Sequence, residues 1–111
     1  MLSRPNRLKE KRDFDNIFKN GKKINTPLFL LAYISRADQN PTRIGVVAGK
    51  KVGGAVERNR AKRLIREGAR ILLEKYPKGY DIAFICNSGI IKEDQKIIYL
   101  KICNYIISLA L

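Results

Sequence analysis

The segment from Gly49 to Arg70, GKKVGGAVERNRAKRLIREGAR, limits most sharply what this chain can fold into. From Val56 onward the apolar residues Ala61, Leu64, Ile65, Ala69 and Leu72 recur at helical spacing. A step of about 100° per residue puts those five on one stripe. Asn59, Lys62, Arg63, Arg66 and Arg70 gather on roughly the opposite third of the same wheel, flanked by Arg58 and Arg60 near its start. The segment predicts a helix with one side laid on a sheet and the other left cationic. Gly53 and Gly54 allow a tight turn into it, preceded by Lys50 and Lys51. Gly68 costs about 1 kcal/mol relative to alanine inside a helix, and the sequence leaves open whether close packing or simple tolerance explains it.

Eight basic residues against Glu57 and Glu67 give this stretch a net charge of +6, out of +13 for the chain. Such a density repels itself unless a polyanion lies against it, and a nucleic-acid backbone is the partner that fits. A membrane surface fits less well, because the apolar stripe is committed to the core. No apolar run approaches the roughly 18 residues that cross a bilayer. The 111 residues predict one domain with a single core, and 45% hydrophobic content argues against disorder. The opening MLSRPNRLKEKRDF lacks the apolar centre of a secretion signal. Cys86 and Cys103 are isolated in apolar segments without CxxC spacing. The expectation is a cytoplasmic protein in which both are reduced core residues.

The chain has no histidine, which excludes histidine general bases, serine–histidine triads and histidine-ligated zinc. Two cysteines fall short of the four that an all-thiolate zinc site needs. Asp13, Asp15, Glu57, Glu67, Asp81, Glu93 and Asp94 could in principle hold a nuclease metal, but they show no motif spacing and read as caps and surface charges. The string IGVVAGKK fails as a phosphate-binding loop, since Lys51 stands where a magnesium-holding hydroxyl is required. No catalytic or metal-ligating residue is expected.

Phe14, Ile17 and Phe18 mark a short helix over about Arg12–Asn20, closed by Gly21. An extended piece near Lys23–Thr26 precedes a largely buried strand, Leu28–Ile34. The turn-rich Ser35–Thr42 predicts a hairpin to the next strand, Arg43–Ala48. The basic helix is expected over Ala55–Lys75 and stops at Pro77 and Gly79, with a strand at Tyr80–Cys86 beyond. A final helix over Glu93–Leu109 would turn Ile97, Ile98, Ile102, Ile106 and Leu109 inward. The order α-β-β-β-α-β-α predicts an α+β sandwich, one sheet with helices against it.

RIGVVAGKKVGGAVERNRAKRLIREGAR resembles the signature of the bacterial ribonuclease P protein subunit. The matching elements are Lys50-Lys51, the turn Gly53-Gly54-Ala55-Val56, Arg58-Asn59-Arg60 and Lys62 to Glu67. RDFDNIFKNG, with Phe14, Phe18 and Gly21, resembles the family's first helix, and the likeness extends over nearly the whole chain. It implies a mixed four-stranded sheet with a left-handed strand–helix–strand crossover, as in the second domain of a small-subunit ribosomal protein. It also implies a non-catalytic protein subunit of an endoribonuclease whose RNA, with magnesium, removes the 5′ leader of precursor tRNA. The partners implied are the catalytic RNA and precursor tRNA with its leader, with no obligate protein partner, no membrane and no protein-bound cofactor.

On this reading Lys50, Lys51, Arg58, Asn59, Arg60, Lys62, Arg63, Arg66 and Arg70 dock the catalytic RNA. Arginine suits the task because its planar fork bridges phosphate oxygens and stacks on bases. Arg58 and Arg63 have an alternative as stems covering the sheet edge. The resemblance also implies a leader cleft between the sheet and the first helix, for which the candidates are Arg12, Phe14, Phe18, Lys19, Lys22 and Tyr33. The two phenyl rings could stack on unpaired nucleotides or simply fill the core. Gly54, Gly49 and Ala32 depart from the family's commoner residues, an asparagine, a small hydroxyl and, in some members, an aromatic. Tyr33 stands one place beyond Ala32, and such an offset reverses the face a strand side chain takes. A ribosomal or ribosome-associated RNA binder is the rival reading of the same basic surface, and a freestanding carboxylate-metal nuclease is a third.

Overall fold

The computed structural model describes residues 4–92 together with Lys96, Ile97 and Leu100. Its first helix, α1, covers Lys11–Asn20, and strands β1 (Lys22–Asn25), β2 (Phe29–Ser35) and β3 (Arg43–Val47) follow. The basic helix α2 runs over Ala55–Lys75, and β4 over Tyr80–Cys86. The expected last helix lies outside the described residues apart from Lys96, Ile97 and Leu100, which are helical.

The four strands form one mixed sheet in the order β1-β2-β4-β3. β2 is antiparallel to both β1 and β4, whereas β3 runs parallel to β4, so β3–α2–β4 is a crossover unit. This corrects one expectation: Ser35–Thr42 does not close a hairpin, because β4 sits between β2 and β3. The loop instead pairs with the approach to β4. Arg36 N donates to Gly79 O at 2.7 Å, Gly79 N to Asn40 O at 2.9 Å and Thr42 N to Pro77 O at 3.0 Å. The apolar β4, with five of its seven residues buried, takes the interior position.

Alternation along the strands divides the core in two. On one side Phe29, Leu31, Tyr33, Ile44, Ile82, Phe84 and Cys86 pack against Ala61, Leu64, Ile65, Ala69 and Leu72 of α2. Phe29 and Phe84 meet edge to face at 5.3 Å. Gly68 lies on the buried face of α2, beside Ala69, where small residues let a helix approach its sheet. On the other side Ala32 and Ala83 pack with Ile17 of α1 and with Leu8.

Gly45 completes this small-residue row, paired with Ala83 across the sheet. A Cβ added there would run into the Phe14 ring and meet Leu8 Cβ at 3.0 Å, so the glycine is what lets α1 lie down. A carboxylate network holds the same end. Asp81, only 3% exposed, accepts from Arg43 Nε at 2.8 Å and Nη2 at 2.7 Å, and from Arg36 Nη1. Arg43 Nη1 also reaches Asp13 Oδ2 of α1 at 3.3 Å. A buried carboxylate is tolerable only when paired and hydrogen-bonded. Its hydrogen bonds to Asp38 raise the pKa of the Arg36 guanidinium, and those to Asp81 do the same for Arg43.

Candidate nucleic-acid interface

The outer face of α2 is built by the burial of its inner face. With Ala61, Leu64, Ile65, Gly68, Ala69 and Leu72 buried, the 3.6-residue repeat forces the intervening positions outward. Asn59, Arg63, Arg66 and Arg70 are exposed, while Arg58, Arg60 and Lys62 are half-buried at its shoulders. Arg70 has an acidic neighbour on its own helix, Glu67 at 3.7 Å. Ion pairs between exposed groups at such range are weak. Val56, which opened the apolar pattern in the sequence, is 79% exposed and lies off the stripe.

The lysine pair stands at the start of this surface. Lys50 and Lys51 are exposed on a single 3-10 turn, anchored by Val52 at 2% exposure. Gly53 follows with φ of 143°, in the left-handed region where a side chain is strained, and an added Cβ would lie 2.9 Å from Glu57 Cβ. Arg58 N then donates to Gly54 O at 2.9 Å as the helix begins. Glu57, folded over both glycines, places an acid in the first turn, where the helix dipole favours it.

A second surface lies on the α1 side. Ile17 of α1 is fully buried against the sheet, and Asp13 leans toward Arg43. At 100° per residue Phe14 and Phe18 therefore fall on the opposite flank from Asp13. Both rings are half-buried and pack against the small-residue row. Beyond that row the register aligns Asn25, Leu30, Ile85 and Val47 across all four strands. Leu30 and Ile85 are half-buried and Val47 is 39% exposed, so this strip is apolar and open.

Some candidates from the sequence lie elsewhere. Tyr33 is 8% exposed and belongs to the core on the α2 side, because Ala32 takes the position facing α1. Lys22 pairs with Tyr33 and shares its side, so Lys23, opposite Ala32, is the β1 lysine on the α1 side. Arg12 and Lys19 are exposed on the outer part of α1, away from Ile17. Sequence reasoning missed Lys23 and the Leu30–Ile85–Val47 strip, since both depend on strand pairing. Among the described residues no three acidic or thiol side chains cluster as metal ligands, and no helix is long and apolar enough to cross a membrane. Burial raises the thiol of Cys86 to about 11 despite the opposing charges of Lys62 and Arg66.

A basic helix backed by a four-stranded mixed sheet, with an open strip behind it, defines a small α+β domain with one strongly cationic face. The family model described as Ribonuclease P matches residues 2–106. The chain belongs to that family. It is 38% identical over 100 residues to the ribonuclease P protein component of Clostridium botulinum strain Loch Maree, covering 89% of each chain. The solved RNase P protein of Staphylococcus aureus is similar in structure, with a TM-score of 0.79, 26% identity and coverage of 95% of this chain and 94% of that one. The RNase P protein of Thermotoga maritima gives a TM-score of 0.76 at 32% identity, covering 89% and 93%.

Proposed function

We propose that this chain is the protein subunit of a ribonuclease P ribonucleoprotein. It docks on the catalytic RNA through the outer face of α2 and the Lys50–Lys51 turn. It holds the 5′ leader of precursor tRNA along the strip between α1 and the sheet. The single observation that carries the reading is the disposition of α2 in a member of this family. Its apolar stripe is wholly used by the core, which leaves Asn59, Arg63, Arg66 and Arg70 facing solvent as one cationic surface.

In this reading the protein supplies binding and no chemistry. Magnesium works at the active site of the RNA, and no protein side chain is asked to ligate it. The α1-side strip suits single-stranded leader because phenyl rings and apolar strand residues accept the face of any base. Lys23 is placed to meet its phosphates. The site of action is the cytoplasm, with no membrane and no further obligate protein.

The test mixes purified protein, catalytic RNA and precursor tRNA at low magnesium and omits each component in turn. Leader removal that requires the RNA and is stimulated by the protein is the expected result. Cleavage by the protein alone would make it a nuclease in its own right. Absence of stimulation would return the basic helix to a ribosomal or other structural role.

A further inference from the structure

Resting on that reading, we infer that Asp13 and Arg43 are positioning residues for leader recognition. Their bridge sets the rotation of α1 on the sheet, and with it the placement of Phe14 and Phe18 beside the apolar strip.

The sheet alone does not fix that rotation. Ile17, the buried side chain of α1, rests on a row in which Ala32 and Ala83 carry a methyl group and Gly45 nothing. Such a floor offers little for a helix to interlock with, so packing resists a roll about the helix axis only weakly. The two ends of α1 are tethered differently. At the C-terminal end Gly21 N donates to Ile17 O at 2.8 Å, and a Cβ added to Gly21 would lie 2.5 Å from Tyr33 O, so backbone rests directly on β2. Before the N-terminal end Leu8 N donates to Ile44 O at 3.0 Å. That bond locates the chain entering the helix but leaves its roll open.

The bridge supplies what packing omits. Asp81 holds Arg43 through two bonds, Nε to Oδ1 at 2.8 Å and Nη2 to Oδ2 at 2.7 Å, and its side chain is only 4% exposed. A bidentate pair of this kind fixes the plane of the guanidinium. The remaining nitrogen, Nη1, is thereby held toward α1, where it meets Asp13 Oδ2 at 3.3 Å. On the helical wheel Asp13 stands about 40° from Ile17, about 100° from Phe14 and about 140° from Phe18. Drawing Asp13 toward Arg43 therefore turns both rings to the other flank. Phe14 accordingly lies over Gly45, farther along β3 in the direction of Val47 and the strip.

The test compares precursor tRNA bearing a leader with mature tRNA, each bound to the holoenzyme formed with Asp13→Ala protein. Loss of an acid favours polyanions in general, so charge alone would leave both affinities equal or higher. Leader-bearing RNA should instead lose about threefold of its advantage over mature tRNA, within reach of one partly exposed ion pair. Asp13→Asn keeps an acceptor oxygen for Arg43 and should recover most of that preference. Arg43→Lys keeps the charge but cannot hold Asp81 by two bonds and reach Asp13 together, so it should lose the preference as Asp13→Ala does. In a Phe18→Ala background Asp13→Ala should add little, because it acts through the rings. Thermal midpoints report the folding of each variant. An undiminished preference in folded Asp13→Ala and Arg43→Lys, or an equal loss with and without the Phe18 ring, would overturn the inference. If the parent holoenzyme shows no preference for a leader, the functional reading itself falls.

Discussion

On the α2 side of the sheet, large side chains such as Phe29, Leu31, Ile82 and Phe84 interlock with a full helical stripe. On the α1 side the central row is Ala32, Ala83 and Gly45, and the helix that covers it leaves Leu30, Ile85 and Val47 uncovered or only half-buried. The first face takes up nearly all the apolar surface of α2, so the exposed side of that helix is free to specialise in charge. The second face gives up packing to keep a shallow apolar groove beside two phenyl rings. One sheet thus carries two surfaces of different chemistry, cationic on one flank and aromatic on the other.

The largest expected effect tests the tight face. Phe84→Ala should cost about 4 kcal/mol of stability, the range for a fully buried aromatic, read from denaturant unfolding. A cost no greater than that of an exposed-site change would mean that the α2-side core is not the main support. The small-residue row comes next. Gly45→Val sets new atoms against Phe14 and Leu8 and should cost about 2 kcal/mol by displacing α1. Retained stability with an unmoved α1 in hydrogen exchange would break the contrast between the faces.

Phe18→Ala sharpens the same comparison at lower cost. Its half-buried ring should contribute only about 1 kcal/mol to stability, yet its loss should weaken precursor tRNA with a leader about tenfold more than mature tRNA. Equal losses for both RNAs would assign the ring to the core. The smallest effect concerns Cys86, whose thiol is raised by burial to about 11. Its folded pKa lies above the ordinary thiol range, so its contribution is complete below about pH 8.5 and is lost as pH rises toward 11. Site-resolved alkylation near pH 8 should leave Cys86 unmodified until the protein unfolds. Rapid modification of the native protein would place it outside the core.

Local pattern made much of this legible. The bounds of α2 follow from its apolar repeat between Gly54 and Pro77, and β4 reads directly from YDIAFIC between Gly79 and Ser88. Pairing was not legible. The composition of Ser35–Thr42 says that the chain turns there, but only the contacts of Arg36 with Tyr80 and Asp81 show which strand it turns toward. The same gap explains Tyr33 and Lys22. Their residue types suit a cleft, but register sets their side, and a shift of one position would have reversed it. Gly45 looked like part of a failed phosphate loop. Its role in seating α1 depends on Phe14, far from it in sequence.

Salt dependence of binding to the catalytic RNA tests the central claim most directly. Replacing Arg63 and Arg66 together by glutamine leaves the buried stripe of α2 intact and removes two cations from its outer face. The slope of log affinity against log salt should flatten by about 1.4 to 1.8, with affinity reduced broadly across RNA sequences. A folded double variant with the slope of the parent protein would show that this face of the helix does not neutralise the RNA.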